Sequence, residues 1–319
     1  MTALILPAND PASIARASES LRAGGLVAMP TETVYGLACD ASNSEAIARL
    51  YKAKGRPRFN PLIAHITGID MAKKLALFSP LAEKLADAFW PGPLTLVLPK
   101  QAGAPLSDLA NAGLETVALR MPRHDAAQAL LQVFGAPLVA PSANRSGRIS
   151  PTTADHVADG LSERIDMILD GGPCPVGLES TVIAVEGDQA TLLRPGGLDR
   201  FKIETITGPL AQAGKTNSPA SPGMLKSHYA PATPVRLNVS QPDTGDAYLG
   251  FGDMACDLNL SETGDLVEAA ARLFAALREL DARQPNAIAI APIPDEGLGE
   301  AINDRLKRAA TPPDPTETP

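Results

Sequence analysis

Aromatic residues make up only 4% of this 319-residue chain, and its three cysteines are odd in number and widely separated. Cys39, Cys174 and Cys256 therefore support neither a disulfide framework nor a cysteine-based metal site, and they read as small buried apolar residues. The four histidines, His65, His124, His156 and His228, share no short spacing of the kind a metal cage uses. No apolar run approaches the roughly 20 residues of a membrane span, and residues 1–9 lack the basic start and long apolar stretch of a signal peptide. A soluble cytoplasmic protein with no membrane contact is expected. The formal charge is −8, and no extended lysine or arginine run interrupts it. A large nucleic-acid surface needs many phosphate contacts, often with interleaved aromatics, so any RNA contact is expected to be local and weak.

Two segments imitate nucleotide-binding motifs and fall short. In Gly208-Pro-Leu-Ala-Gln-Ala-Gly-Lys-Thr216 five residues separate the glycines where a phosphate loop needs four, and no strand precedes it. Gly297-Leu-Gly299 lacks the third glycine of a dinucleotide fingerprint, and reads as a helix start. Nucleotide binding, if present, uses another device.

What the chain does have is alternation. From Pro11 to Leu198 short apolar runs alternate with amphipathic segments, the pattern of a mixed α/β sheet with helices packed over it. Strands are predicted over 26–29, 94–98, 116–120, 138–140, 167–169, 181–185 and 191–194, and helices over 11–23, 45–54, 80–89, 125–134 and 154–161. Between Thr207 and Pro234 the composition shifts to Gly, Pro, Ser and Ala, which reads as a linker. A second, smaller α/β unit follows, with strands near 235–239, 247–250 and 287–290 and helices near 265–280 and 299–309. The organisation expected is a sheet domain over 10–206, a linker over 207–234, a small domain over 235–310 and a disordered tail over 311–319.

Against the acidic background stands Tyr51-Lys-Ala-Lys-Gly-Arg-Pro-Arg-Phe-Asn-Pro-Leu-Ile-Ala-His65. Lys52, Lys54, Arg56 and Arg58 fall at a helix end and in the loop beyond, since Gly55 is a helix stop and Pro57 biases Arg56 toward extended backbone. Guanidinium groups give paired, charge-assisted bonds to phosphate or carboxylate, and a lysine adds a mobile point charge. A solvated helix terminus would look the same on spacing alone, so context decides. Pro30-Thr-Glu-Thr-Val-Tyr-Gly-Leu37 supplies it, because it follows an apolar run and reads as a strand opening into a polar turn. Ligands in α/β sheets gather at such strand ends. Thr31, Thr33, Thr116, Arg120, Ser142, Asn144, Ser180 and Arg194 all sit at or just past predicted strand ends.

These segments resemble the YrdC-like family of L-threonylcarbamoyladenylate synthases, in the longer form with an additional C-terminal domain. Leu119-Arg-Met-Pro122, Ala140-Pro-Ser-Ala-Asn-Arg-Ser-Gly147, Gly177-Leu-Glu-Ser-Thr-Val182, Leu193-Arg-Pro-Gly196 and Ser221-Pro-Gly-Met-Leu-Lys-Ser-His-Tyr-Ala-Pro231 continue the resemblance in order. It implies a YrdC-like twisted mixed sheet with flanking helices and a smaller Rossmann-like C-terminal domain. It also implies condensation of L-threonine, bicarbonate and ATP, with pyrophosphate released, for threonylcarbamoyladenosine modification of tRNA beside the anticodon.

Carried over residue by residue, the resemblance assigns threonine to Thr33, His65, Arg120, Ala140 and Ser180. It assigns ATP to Arg56, Asn60, Thr116, Ser142, Ser150, Arg194 and Tyr229, with Lys54 near the phosphates, Lys54 and Arg56 stabilising charge, and the linker acting as a lid. Arg58-Phe59 departs from the small polar or acidic pair that many relatives carry, which leaves Arg58 without an assigned role. Such chemistry runs on positioning and charge stabilisation, with no covalent nucleophile. Mg2+ is expected with the polyphosphate, held mainly through phosphate oxygens and not by a protein metal site. The product would pass to a downstream tRNA threonylcarbamoyl transferase complex, with direct tRNA binding weak or absent. The rival reading is a non-catalytic RNA-binding module of the same fold, against which the charge and the scarcity of aromatics count.

Overall fold

The computed structural model describes residues 2–57, 59–212 and 228–312. The first unit runs β1 (Leu4–Pro7), α1 (Pro11–Arg22), β2 (Val27–Met29), β3 (Gly36–Asp40), α2 (Ser44–Lys54), β4 (Ile63–His65), α3 (Ile69–Lys73) and α4 (Pro80–Phe89). It continues through β5 (Leu94–Pro99), β6 (Thr116–Arg120), α5 (Asp125–Phe134), β7 (Leu138–Val139), α6 (Ala154–Leu161), β8 (Met167–Asp170), β9 (Thr181–Glu186), β10 (Gln189–Arg194), α7 (Arg200–Thr207) and β11 (Ala211–Gln212). These strands form one mixed sheet in the order β1-β8-β2-β3-β7-β4-β6-β5-β9-β10-β11. The second unit has β12 (Val235–Arg236), β13 (Ala247–Gly250), β14 (Leu258–Asn259), α8 (Leu266–Ala282), β15 (Ile288–Ile290) and α9 (Leu298–Ala309). Its four strands, in the order β12-β15-β13-β14, pair in parallel throughout.

Local chemistry sets the helix starts. Asp10 caps α1 through Ala12 N with Pro11 in the first turn, Asn43 caps α2 through Glu45 N and Ala46 N, and Ser79 caps α4 before Pro80. Gly55 ends α2 in the left-handed conformation at φ 60°, as a helix-stop glycine does.

The predicted spans 80–89, 116–120, 125–134, 154–161 and 247–250 coincide with α4, β6, α5, α6 and β13. Strands β1, β3, β4, β11 and β14 and helices α3 and α7 were not anticipated. β1 is a mostly exposed sheet edge, so its pattern lacks a buried face. β3 is buried on both sides and carries no alternation to read. Residues 211–212, read as linker, pair with β10. Residues 213–227 of the predicted lid and 313–319 of the predicted tail lie outside the described residues, as does Arg58.

The registers decide where the site can form. Ile63 pairs with Ala118, Ala118 with Val97, and Val97 with Ala184, giving one apolar row across β4, β6, β5 and β9. Side chains two residues apart share a strand face. His65 and Arg120, which pair with each other, therefore stand on that face, and Thr116, Thr95 and Ser180 fall on it by the same count. The opposite face packs on the main helical core, which includes Leu37, Leu50, Leu85, Leu96 and Ile183.

The second unit packs directly on the first. Val34, Ile149 and Leu178 belong to the same buried cluster as Leu273, Phe274 and Ile302. Gly177, at φ 73°, lies so close to α8 that a Cβ there would stand 2.5 Å from the Ala270 carbonyl oxygen. Only glycine meets both demands.

Candidate functional site

The cationic segment folds inward. Lys54, in the last turn of α2, is buried, and its Nζ donates to the carbonyls of Ser142 and Asn144. Arg56 is also buried, donating through Nη2 to Pro61 O at 3.0 Å and through Nε to Asn60 O at 3.4 Å. Burial, and then the neighbouring Arg56, hold the Lys54 ammonium well below its usual range. Burial chiefly pulls the Arg56 guanidinium down to about 10. Neither residue has an ion pair with a carboxylate among the described residues. Beside them Asn60 is fully buried, and neither its Oδ1 nor its Nδ2 has a hydrogen-bond partner. A buried amide in that state costs on the order of 1–3 kcal/mol.

On the sheet face, the Nδ1 of His65 lies 3.2 Å from Ile63 O. A carbonyl only accepts, so Nδ1 carries the proton and Nε2 is left as an acceptor. Burial, reinforced by Arg120, pulls the His65 pKa down to about 3, so the ring is neutral near pH 7. Arg120 Nη2 stands 2.8 Å from Glu32 Oε2, with both side chains almost wholly buried. The pair is close in distance but poorly aligned in angle: Arg120 Nε and Nη2 and both Glu32 oxygens lack a partner in hydrogen-bond geometry. Thr33 Oγ1 contacts Thr31 Oγ1 at 2.8 Å, in a turn closed by Thr31 Oγ1 donating to Val34 O. Ser180 Oγ lies 2.7 Å from Thr95 Oγ1, and Arg194 Nη2 donates to Ser180 O at 2.8 Å.

Of the residues the sequence singled out, the fold brings His65 and Arg120 together by register, Ser180 and Arg194 by a hydrogen bond, and Lys54 and Ser142 by another. Ala140 donates its backbone N–H to Ile63 O, and Thr116 stands four residues before Arg120 on the same face. Ser150 donates to Glu179 Oε1 at 2.5 Å. Tyr229, at φ 62°, is buried and stacked on Phe274 of α8, within electrostatic reach of Arg56 and Arg194. The residues come from the turn after β2, the end of α2, the segment after β7 and the residues just before β9. One open cavity of about 550 Å³ lies beside the end of α2, lined by Tyr51, Lys52, Gly55 and Arg56 among others, and another of about 500 Å³ is lined by Asp199, Lys202, Asp265 and Leu298 among others.

Sequence reasoning missed Glu32, Thr95, Glu179 and Arg305. Glu32 and Glu179 lie inside motifs already noticed, and a carboxylate in such a buried setting requires a cation. Nothing in the spacing names Arg120 or Arg305 as that cation.

Residues 19–196 match the Sua5–YciO–YrdC family model, described as telomere recombination, and residues 198–311 match the model described as threonylcarbamoyl-AMP synthase, C-terminal domain. Threonylcarbamoyl-AMP synthase of Bacillus subtilis (strain 168) is 42% identical over 329 residues, covering 96% of this chain and 94% of its own. The enzyme of that name from Pyrococcus abyssi is 41% identical over 314 residues, covering 91% and 92%. The crystal structure of P. abyssi Sua5 complexed with L-threonine superposes with a TM-score of 0.89 at 37% identity, covering 97% of this chain and 98% of that one.

Proposed function

We propose, from the premise that this chain belongs to the Sua5–YciO–YrdC family in its two-domain form with a threonylcarbamoyl-AMP synthase C-terminal domain, that it makes threonylcarbamoyl-AMP. The substrates are L-threonine, bicarbonate and ATP, and the by-product is pyrophosphate. The observation that carries this reading is the pair of buried cations, Lys54 and Arg56, bonded to backbone carbonyls and lacking a carboxylate partner among the described residues. Burying such charges costs several kcal/mol each. A triphosphate offsets that cost and explains why it is tolerated.

Arg120 takes the threonine carboxylate, whose two oxygens suit its misaligned fork, and Glu32 faces the ammonium. The neutral His65 accepts from the threonine hydroxyl at Nε2, and Thr33, Ser180 and the Ala140 backbone complete the pocket. Once the ammonium has lost a proton to water, the amine nitrogen bonds to the carbon of carbon dioxide, supplied directly or by loss of water from protonated bicarbonate. One C=O bond opens onto its oxygen and the nitrogen sheds a second proton to water, giving an N-carboxylate. An oxygen of that carboxylate then bonds to the α-phosphorus of ATP. The bond to the bridging oxygen breaks, and pyrophosphate leaves with the electron pair. Negative charge concentrates around phosphorus in the transition state, where Lys54, Arg56 and Arg194 act as fixed electrostatic partners. Asn60, Thr116, Ser142, Ser150 and Tyr229 hold the nucleotide.

Among the described residues no three His, Cys, Asp or Glu side chains converge on a possible metal position. Mg2+ would arrive with ATP, held by phosphate oxygens and water, because a hard cation of this kind is bound chiefly through substrate phosphates. No helix among the described residues is long and apolar enough to cross a membrane. A cytoplasmic enzyme that hands its product to a tRNA threonylcarbamoyl transferase, with little tRNA contact of its own, fits the net charge of −8.

The test is mass spectrometry of the reaction with 13C-labelled bicarbonate. The expected product is threonylcarbamoyl-AMP carrying one label. ATP consumed without a labelled adenylate would overturn the reading.

A further inference from the structure

One guanidinium crosses between the two units. Arg305, on α9, is fully buried, and its Nε donates to Glu179 Oε2 at 2.9 Å while Nη1 donates to Pro195 O at 2.8 Å. Its carbon lies 5.3 Å from the centre of the Tyr229 ring. Glu179 turns its other oxygen to the Ser150 hydroxyl. Pro195 directly follows Arg194, whose Nη2 is bonded to the carbonyl of Ser180, the residue after Glu179. A second acid, Asp304, accepts from Arg305 Nη1 at 2.8 Å and is itself paired with Arg308 at 3.0 Å, which divides its charge between two cations.

Packing does not require this residue. A leucine or methionine would fill similar volume without the desolvation cost of a charge. What an arginine adds is a rigid planar fork whose donors leave at fixed angles, and here they end on the carboxylate that holds Ser150 and on the carbonyl next to Arg194. We propose that Arg305 is a positioning residue through which the C-terminal domain sets the nucleotide half of the site, fixing Ser150, Arg194 and Tyr229 together. This rests on the synthase reading above. It adds a role for the second domain: completing the geometry of the nucleotide pocket from α9.

The experiment is calorimetric titration of the full-length protein with ATP and, separately, with L-threonine, for wild type, Arg305→Met and the double variant Arg305→Met/Glu179→Gln. The double variant removes both buried charges, so it keeps a folded protein available if the single variant unfolds. The proposal expects the Kd for ATP to rise at least tenfold in the folded variants, the double included, with the Kd for threonine changed less than twofold. Wild-type affinity for ATP in the double variant, or equal losses for both ligands, would overturn it by making Arg305 a charge-balancing residue only. A wild-type protein that binds threonine and not ATP would instead overturn the synthase reading, and this inference with it.

Discussion

Replacing Arg56 by alanine separates stability from ligand binding in a way the geometry makes quantitative. Without ligand, the change removes two backbone hydrogen bonds, to Asn60 O and Pro61 O, from a charged donor. It also relieves repulsion with Lys54 and Arg194, which each depress or are depressed by this guanidinium. The free protein should therefore lose less than the roughly 3–6 kcal/mol that two such bonds suggest.

With ATP the balance differs, because a bidentate phosphate contact of about 3 kcal/mol corresponds to about a hundredfold in affinity. At ATP equal to about 100 times the wild-type Kd, ligand stabilises wild type by about 2.7 kcal/mol but the variant by only about 0.4 kcal/mol. At about 2–4 °C per kcal/mol for a chain of this order, the ATP-induced rise in Tm should fall from about 5–10 °C to about 1 °C. Thermal denaturation with and without magnesium and ATP reads this directly, and the rise induced by L-threonine serves as the internal control. An unchanged ATP-induced rise would remove Arg56 from the nucleotide site.

Arg120→Leu should destabilise the protein by about 3–5 kcal/mol, because Glu32 is left buried without its cation, and should abolish threonine binding; urea unfolding and threonine titration test both, and a variant as stable as wild type would contradict the pairing. His65 and His228 are held near pKa 3, mainly by burial. The unfolded chain takes up these protons below about pH 6.5, whereas the folded chain resists until about 3, so their contribution is complete above pH 6.5. It is lost as pH falls toward 3, at up to about 1.4 kcal/mol per pH unit per histidine. His228 faces Glu179, Arg56, Lys54 and Arg308, and His228→Asn should flatten the stability profile between pH 6.5 and 5. Identical slopes for variant and wild type would refute this. Ending the chain at Gln212 strips the cover from Val34, Ile149 and Leu178, each costing roughly 1.5–3 kcal/mol when exposed, and leaves Glu179 without Arg305. A fragment with wild-type Tm and ATP affinity would show that the second unit contributes neither packing nor geometry.

The parts of this fold that were legible in the sequence are those with a strong local signal. Asp125–Phe134 and Pro80–Phe89 combine apolar periodicity with firm ends, and Thr116–Arg120 is a compact β-rich run. Gly36–Asp40 was not legible, because a strand buried on both faces between a turn and a helix shows no period. Ile63–His65 is too short to show one. For the site, residue types and motif positions pointed to Lys54, Arg56, His65, Arg120 and Arg194, yet the juxtaposition of His65 with Arg120 depends on a register that only strand pairing sets. Glu179 and Arg305 are 126 residues apart in the chain. Their contact arises from the docking of two units, and no local pattern encodes it.

The most direct test of the central claim is pyrophosphate release from ATP and magnesium by the purified full-length protein, with L-threonine and bicarbonate each omitted in turn. The account predicts release that requires both and falls to background when either is absent. Release that needs neither, or no release under any condition, would contradict it.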